Sequence, residues 1–277
     1  MRLFTSEIVC VGDELLSGTT INTNAYWISR EITKAGGSVK RITVIKDDVD
    51  EISLGVRDSI FRKPDWLILS GGLGPTHDDK TLQGVASGLG LELAVDNVAL
   101  DMLKKSYARH SMNFELTEIR LKMAKIPIGS KPIQNPVGSA PSVLIVTCET
   151  KIVCLPGVPG EMESIFLESV LPQMKKIVGE FHVVESNYDI IGTSEAMLAS
   201  TISEIVESNP PDSIYLKTHP LGYSSNINNN KPQMRLQLVS KGNDKAEVQL
   251  RFNNISNILR KEISRLNGKI VRSQDGR

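Results

Sequence analysis

The chain has 277 residues, 40% of them apolar and 23% charged, with 32 acidic and 32 basic side chains. That size and balance suit one large or two ordinary globular domains and exclude the electrostatic footprint of a general nucleic-acid or membrane-surface binder. No apolar stretch approaches the ~20 residues that span a bilayer, and residues 1–11 enter a strand pattern without a signal-peptide profile, so a cytoplasmic protein is expected.

Residues 6–11 read as a buried strand ending at Gly12. Residues 22–35 follow with helical spacing, Ala25, Ile28 and Ile32 sharing a face before Gly36-Gly37. Residues 39–45 alternate as a second strand, 49–61 form a second helix with Ile52, Val56 and Ile60 on one face, and 66–69 form a third strand. Residues 80–88 read as a third helix closed by Gly88. Strands alternating with helix-length crossovers predict a parallel sheet covered on both faces. Two further helices are expected at 99–110 and 115–125, a β-hairpin at 142–146 and 151–155 with its turn near Glu149-Thr150, and a helix at 161–176. Composition changes near Gly179. Beyond it come a strand (183–191), a helix (194–207), a strand (213–219), an Asn-rich loop (224–230), a strand (233–240) and a long helix (245–266), with a frayed tail from 271 to 277. The chain therefore divides into residues 1–178, a three-layer α/β/α domain on a mostly parallel sheet, and residues 179–270, a smaller α+β domain of ferredoxin-like or KH-like character. Cys10, Cys148 and Cys154 read as small apolar residues of strands, and the four histidines are scattered.

In an open parallel sheet, ligands bind beyond the carboxyl ends of the strands. Three small-residue loops fall at or near such ends. They are Gly12-Asp13-Glu14-Leu15-Leu16-Ser17-Gly18, then Ser70-Gly71-Gly72-Leu73-Gly74-Pro75-Thr76-His77-Asp78-Asp79, then Pro156-Gly157-Val158-Pro159-Gly160-Glu161. A fourth segment, Asn135-Pro136-Val137-Gly138-Ser139-Ala140-Pro141, precedes a strand. In the central loop, the glycines allow the backbone N–H groups of Gly71, Gly72, Leu73 and Gly74 to approach an anion. Asp78 and Asp79 would repel a phosphate directly, so a bridging cation reconciles the two, with Asp13 and Glu14 completing its shell or positioning a water. Thr76 and Ser17 supply hydroxyls. Each loop also has a purely structural reading: turns at the glycines, helix caps or first-turn acids at the aspartates, and rigid loop prolines at Pro156 and Pro159. No Lys-Ser/Thr pair follows the glycines as in a Walker A loop, and the dinucleotide Gly-x-Gly-x-x-Gly pattern is not matched.

These loops, with Asn22-Thr23-Asn24 and Asn135-Pro136-Val137-Gly138, resemble in order and over roughly the first 170 residues the N-terminal region of the CinA family. That region is similar to the wider molybdopterin-binding domain of MogA, MoaB and MoeA, and the segment beyond it more loosely resembles the small KH-like domain of CinA proteins. The resemblance implies a homodimer or homotrimer that hydrolyses a nucleotide diphosphate linkage, in ADP-ribose or FAD, with a divalent metal (Mg2+ or Co2+) and assistance from K+. It implies Asp78, Asp79 and Glu14 as catalytic groups and Asp13, Asp78 and Asp79 as metal ligands. Gly71, Gly72, Gly74, Thr76, Asn135, Gly138, Gly157 and Glu161 would contact the nucleotide. The amidohydrolase domain of longer CinA proteins lies outside these residues, so no amidohydrolase activity is expected. Two departures stand out: Ser142 where the family usually has Gly, and Lys80 where it usually has Leu. The alternative is a molybdopterin-binding protein of molybdenum cofactor assembly or a non-catalytic nucleotide-binding scaffold. Those cofactor relatives usually read Gly-Gly-Thr-Gly, whereas Leu73 and Pro75-Thr76 follow the CinA pattern and weight the expectation toward hydrolysis. RNA binding is disfavoured, because residues 179–277 hold no Gly-x-x-Gly.

Overall fold

A computed structural model describes residues 3–109, 117–223 and 231–275. His110 and the Asn-rich loop lie outside them. The chain forms two compact units, residues 1–178 and 179–277.

The first unit runs β1 (Phe4–Val11), α1 (Asp13–Leu16), α2 (Thr23–Lys34), β2 (Gly37–Ile45), α3 (Val49–Phe61), β3 (Trp66–Ser70), α4 (Thr81–Leu89), β4 (Leu93–Val95), α5 (Asn97–Arg109), α6 (Glu118–Lys122), β5 (Lys125–Pro127), β6 (Lys131–Ile133), β7 (Ser142–Val146), β8 (Lys151–Leu155), α7 (Pro159–Ile165) and α8 (Leu171–Val178). Its main sheet has the order β2-β1-β3-β8-β7-β6. β2, β1, β3 and β8 are parallel; β7 is antiparallel to both neighbours. The hairpin falls on the expected residues.

Alternation along β1 and β3 sends side chains to two separate cores. Val9, Val11, Leu67 and Leu69 pack with Ile52, Val56, Val85 and Leu103 from α3, α4 and α5. Ile8, Cys10, Trp66 and Ile68 pack with Ile28, Ile32, Phe166 and Met174 on the opposite face. This is the three-layer arrangement, and it explains why the central strands read as continuous apolar runs rather than alternating ones.

Three expectations change. Gly88 does not end α4; it sits inside, where a Cβ would stand 2.9 Å from the Ser53 carbonyl oxygen of α3, and the helix stops at Gly90 with φ +66°. The helix expected at 115–125 is only the five-residue α6, followed by β5, which pairs antiparallel with β4. The helix expected at 161–176 begins at Pro159 and is interrupted by a π-helical turn, Phe166–Val170, whose Phe166 meets Trp27 edge-on at 5.6 Å between centroids.

The second unit runs β9 (His182–Ile191), α9 (Glu195–Glu207), β10 (Ile214–Tyr223), β11 (Pro232–Gly242), α10 (Lys245–Arg265) and β12 (Lys269–Asp275). The tail expected to fray from 271 instead holds an edge strand: residues 269–275 pair antiparallel with β9. The sheet order β10-β11-β9-β12, antiparallel throughout, is the split βαβ arrangement of ferredoxin-like domains. Val248, Phe252, Ile255, Leu259 and Ile263 give α10 its buried stripe, and Asp244 caps it by accepting the Glu247 N–H at 2.8 Å.

One ion pair holds β1 to the end of α3. Glu7 is 3% exposed and receives a two-pronged bond from Arg62, Nε and Nη2 each at 2.7 Å. Burial alone would raise the Glu7 carboxyl, but the Arg62 guanidinium outweighs it and holds the group below the usual range. Arg62→Ala is expected to lower stability by about 3–5 kcal/mol, because a buried carboxylate loses its cation. Arg62→Lys should restore only part, since an ammonium lacks the planar fork. Urea midpoints of the three proteins check both.

Candidate functional site

The four parallel strands end at one edge, so Val11, Ile45, Ser70 and Leu155 deliver their following loops to the same place. From β1 the chain crosses to β2 on one side; β3 lies on the other. The gap beyond β1 and β3 is thus the topological switch point, where open α/β sheets leave a crevice. A cleft of about 230 Å³ lies there. Its walls are Gly12 and Glu14 after β1, Asp47 after β2, Gly71, Gly72, Asp78 and Asp79 after β3, Gly157 and Pro159 after β8, and Asn22 to Asn24 at the start of α2.

The sequence candidates separate into three groups. Glu14, Gly71, Gly72, Asp78, Asp79 and Gly157 line the cleft. Asp13 stands beside it: its N–H donates to Asp47 Oδ2 at 2.9 Å. Thr76 donates its N–H and hydroxyl to Asp79 Oδ2, at 2.8 and 2.6 Å. Gly74 borders a smaller cavity of about 40 Å³ behind the loop, with Leu82 and Lys122. Asn135, Gly138 and Glu161 are not in the cleft wall but form a cluster of their own. Asn135 is 0% exposed, donates to Glu161 Oε2 at 2.6 Å and to the Ala140 carbonyl at 3.0 Å, and accepts the N–H of Gly138 at 2.7 Å. A Cβ at Gly138 would overlap the Glu161 carboxylate, 2.1 Å from its Cδ. That cluster shapes the segment before β7. Ser142 is buried at the start of that strand, paired with Ile133, and does not line the cleft.

Gly71 does not offer its N–H to a ligand, as the glycine run suggested. It donates to the Leu155 carbonyl at 3.0 Å, and its own carbonyl accepts the Thr81 hydroxyl at 2.7 Å. The residue is needed for a different reason. Its φ is +113°, and a Cβ would stand 2.1 Å from the Val11 carbonyl oxygen. Gly72 (φ +65°) is the glycine of the loop that lines the cleft with no protein acceptor for its N–H among the described residues.

Leu73 also points elsewhere. It is 5% exposed and belongs to the core with Val11, Leu69 and Val85. The residue that weighted the sequence reading toward hydrolysis therefore fills the interior under the loop and says little about the ligand.

The cleft lining combines two kinds of polarity. Glu14, Asp47, Asp78 and Asp79 contribute carboxylates. Burial raises the Asp47 carboxyl above its ordinary range; the Asp13 N–H counters this, and the charges of Asp13, Glu14 and Asp78 push it further up. Asn22 to Asn24 bring to the same lining the N-terminus of α2, a 12-residue helix with the positive end of its dipole there. Asn22 caps it by accepting the Ala25 N–H at 3.0 Å and also lies 3.5 Å from the Cys10 thiol, whose burial raises its pKa. Asp47 is a cleft residue that sequence reasoning missed. The signal was its position: it follows a parallel strand's carboxyl end, as Asp13 does. Among the described residues no three His, Cys, Asp or Glu side chains gather closely enough to hold a metal ion. No helix among them is long and apolar enough to cross a membrane.

Two substitutions check this geometry. Gly71→Ala forces a Cβ into the Val11 carbonyl and should cost at least about 2 kcal/mol, read from urea denaturation. For Asp47 the folded-state pKa lies above the unfolded one, so ionisation costs stability. That cost is absent below the ordinary carboxylate range and fully present above the folded pKa. Asp47→Asn keeps an acceptor for the Asp13 N–H and should raise the melting temperature by a few degrees at about pH 7, the gain fading as the pH falls through the carboxylate range toward about 4. Calorimetry across that range measures it.

Residues 7–176 match the model of a family described as a probable molybdopterin binding domain. A protein of Sulfurisphaera tokodaii is 37% identical over 273 residues, covering 99% of this chain and all of the relative, and one of Saccharolobus islandicus is 38% identical with the same coverage. Among solved structures, a CinA protein of unknown function from Thermoplasma acidophilum is 42% identical and superposes with a TM-score of 0.57, covering 61% of this chain and 98% of its own. With a matching core over residues 7–176 and the CinA-like loops at its sheet edge, the chain belongs to the molybdopterin-binding-domain family.

Proposed function

We propose that the first unit binds a phosphorylated pterin of the molybdopterin class. Its phosphate would lie against Gly72 and the α2 N-terminus, and the pterin N–H donors would face Asp47 and its neighbouring carboxylates. The observation that carries this reading is that one cleft lining holds both a helix N-terminus and a group of carboxylates. A pterin presents N–H and amino donors along one ring edge and, in molybdopterin, carries phosphate at its other end. Such a ligand satisfies both without any further ion. At about 230 Å³ the cleft is smaller than the ~300–1,000 Å³ typical of sites enclosing a whole drug-sized molecule, so part of the ligand would lie over the rim. Membership of the family points the same way.

A second reading is metal-dependent cleavage of a nucleotide diphosphate linkage, as in ADP-ribose. The concentration of Asp13, Glu14, Asp47, Asp78 and Asp79 around one rim favours it. Hard oxygen donors suit Mg2+ or Co2+. The fit is incomplete, because the described residues hold no preformed metal-binding trio.

Anaerobic fluorescence titration with molybdopterin tests the first reading. Saturable binding at about 1 μM or tighter is expected, weakened at least about tenfold in Asp47→Asn. A parallel incubation with ADP-ribose, Mg2+ or Co2+ and K+ follows AMP release. No molybdopterin binding, with AMP release that disappears in the Asp78→Asn/Asp79→Asn protein, would transfer the assignment to hydrolysis.

A further inference from the structure

Asn24, the second residue of α2, joins elements far apart in the chain. Its Nδ2 donates to Ser70 Oγ at 2.9 Å and to the Gly157 carbonyl at 2.8 Å. Ser70 Oγ in turn donates to the Pro156 carbonyl at 3.2 Å. One carboxamide therefore ties the end of β3 and the loop after β8 to the N-terminus of α2. Capping does not explain it, since Asn22 already caps the helix. Nor does satisfaction of its own polar atoms, because Asn24 Oδ1 is buried without a hydrogen-bond partner among the described residues. Leaving a buried acceptor unpaired is costly, so the position of this side chain favours the two donated bonds over its own full pairing.

The bonded loop lies next to the glycine turn. A Cβ placed on Gly157 would meet Gly71 Cα at 3.4 Å, so the two backbones are neighbours with space for no more than a methyl group between them. The Gly71–Gly72 turn is thus fixed below by the Gly71-to-Leu155 bond and flanked by a loop that Asn24 holds.

We infer that Asn24 is a positioning residue for the anion end of the cleft. By holding the Gly157 loop against Gly71, it brings the Gly72 N–H and the α2 N-terminus to bear on the same group of a ligand. This rests on the reading that the α2 wall receives the ligand's phosphate. A residue of merely structural value would lower affinity for every ligand alike; a positioning residue lowers only the part of the affinity that the phosphate supplies.

The test compares two compounds, oxidised fluorescent molybdopterin and the same compound after phosphatase treatment, titrated against the wild type, Asn24→Ala and Ser70→Ala, with melting temperatures measured in parallel. The wild type should prefer the phosphorylated compound at least about tenfold. In Asn24→Ala that preference should fall to within about twofold of unity, the loss falling on the phosphorylated compound; Ser70→Ala, which keeps the Asn24-to-Gly157 bond, should lose part of the preference. A folded Asn24→Ala that keeps the full preference, or that loses affinity for both compounds equally, overturns the inference while leaving the binding reading intact. A wild type with no preference overturns the phosphate assignment and the inference with it. If Asn24→Ala does not fold, Ser70→Ala decides: its hydroxyl links Asn24 to the Pro156 carbonyl, and an undiminished preference, or an equal loss for both compounds, overturns the inference.

Discussion

The cleft depends on one close approach of backbone to backbone. Gly71 turns away from β3 directly against the Val11 carbonyl that ends β1, at a distance that admits no side chain and in a conformation that strains any residue with one. Adjacent parallel strands leave their following loops side by side, and bulky residues there would keep the loops apart. Because Gly71 closes that distance, the turn can bond to Leu155 on its other flank and accept the Thr81 hydroxyl from α4. The ends of β1, β3 and β8 then become one surface. The charged side chains of the loops after β1, β2 and β3 are presented from that surface.

Much of this was legible in the sequence. Parallel strands announce themselves as short apolar runs separated by helix-length crossovers, and the loops at their carboxyl ends stand out by their small residues and acids. Glu14, Gly71, Gly72, Asp78, Asp79 and Gly157 come from loops read that way, and they share one cleft. What could not be read is direction. Leu73 sits in a ligand-type loop yet points into the core. Thr76 has the hydroxyl a ligand would want, but both of its donors go to Asp79. Asn135 and Glu161 lie in segments of the right composition but bond to each other. Spacing cannot separate a side chain that faces a cleft from one that braces the loop behind it, because the two alternate along the same few residues.

The elements that escaped sequence reading share a cause as well. β12 is a short polar edge strand whose pairing depends on β9, 78 residues before its first residue, a long-range contact with little local signal. Gly88 reads as a helix stop but is an interior contact with α3, because the demand for a small side chain comes from a neighbouring helix rather than from the backbone angle. In both cases tertiary packing overrides the local preference.

The crowding of carboxylates around Asp47 bears on which occupant the cleft prefers. A fold under no functional demand has little reason to keep Asp47 half-buried beside Asp13, Glu14 and Asp78, since each neighbour makes its charge more costly. A ligand that donates hydrogen bonds to these carboxylates, or brings a cation to them, removes that cost at the moment it binds and converts it into affinity. The α2 N-terminus and the Gly72 N–H in the same lining impose the second condition, since they favour an anion. A purely cationic ligand answers only the carboxylates, and a simple phosphate is repelled by them. An occupant that answers both must carry hydrogen-bond donors or positive charge together with negative charge.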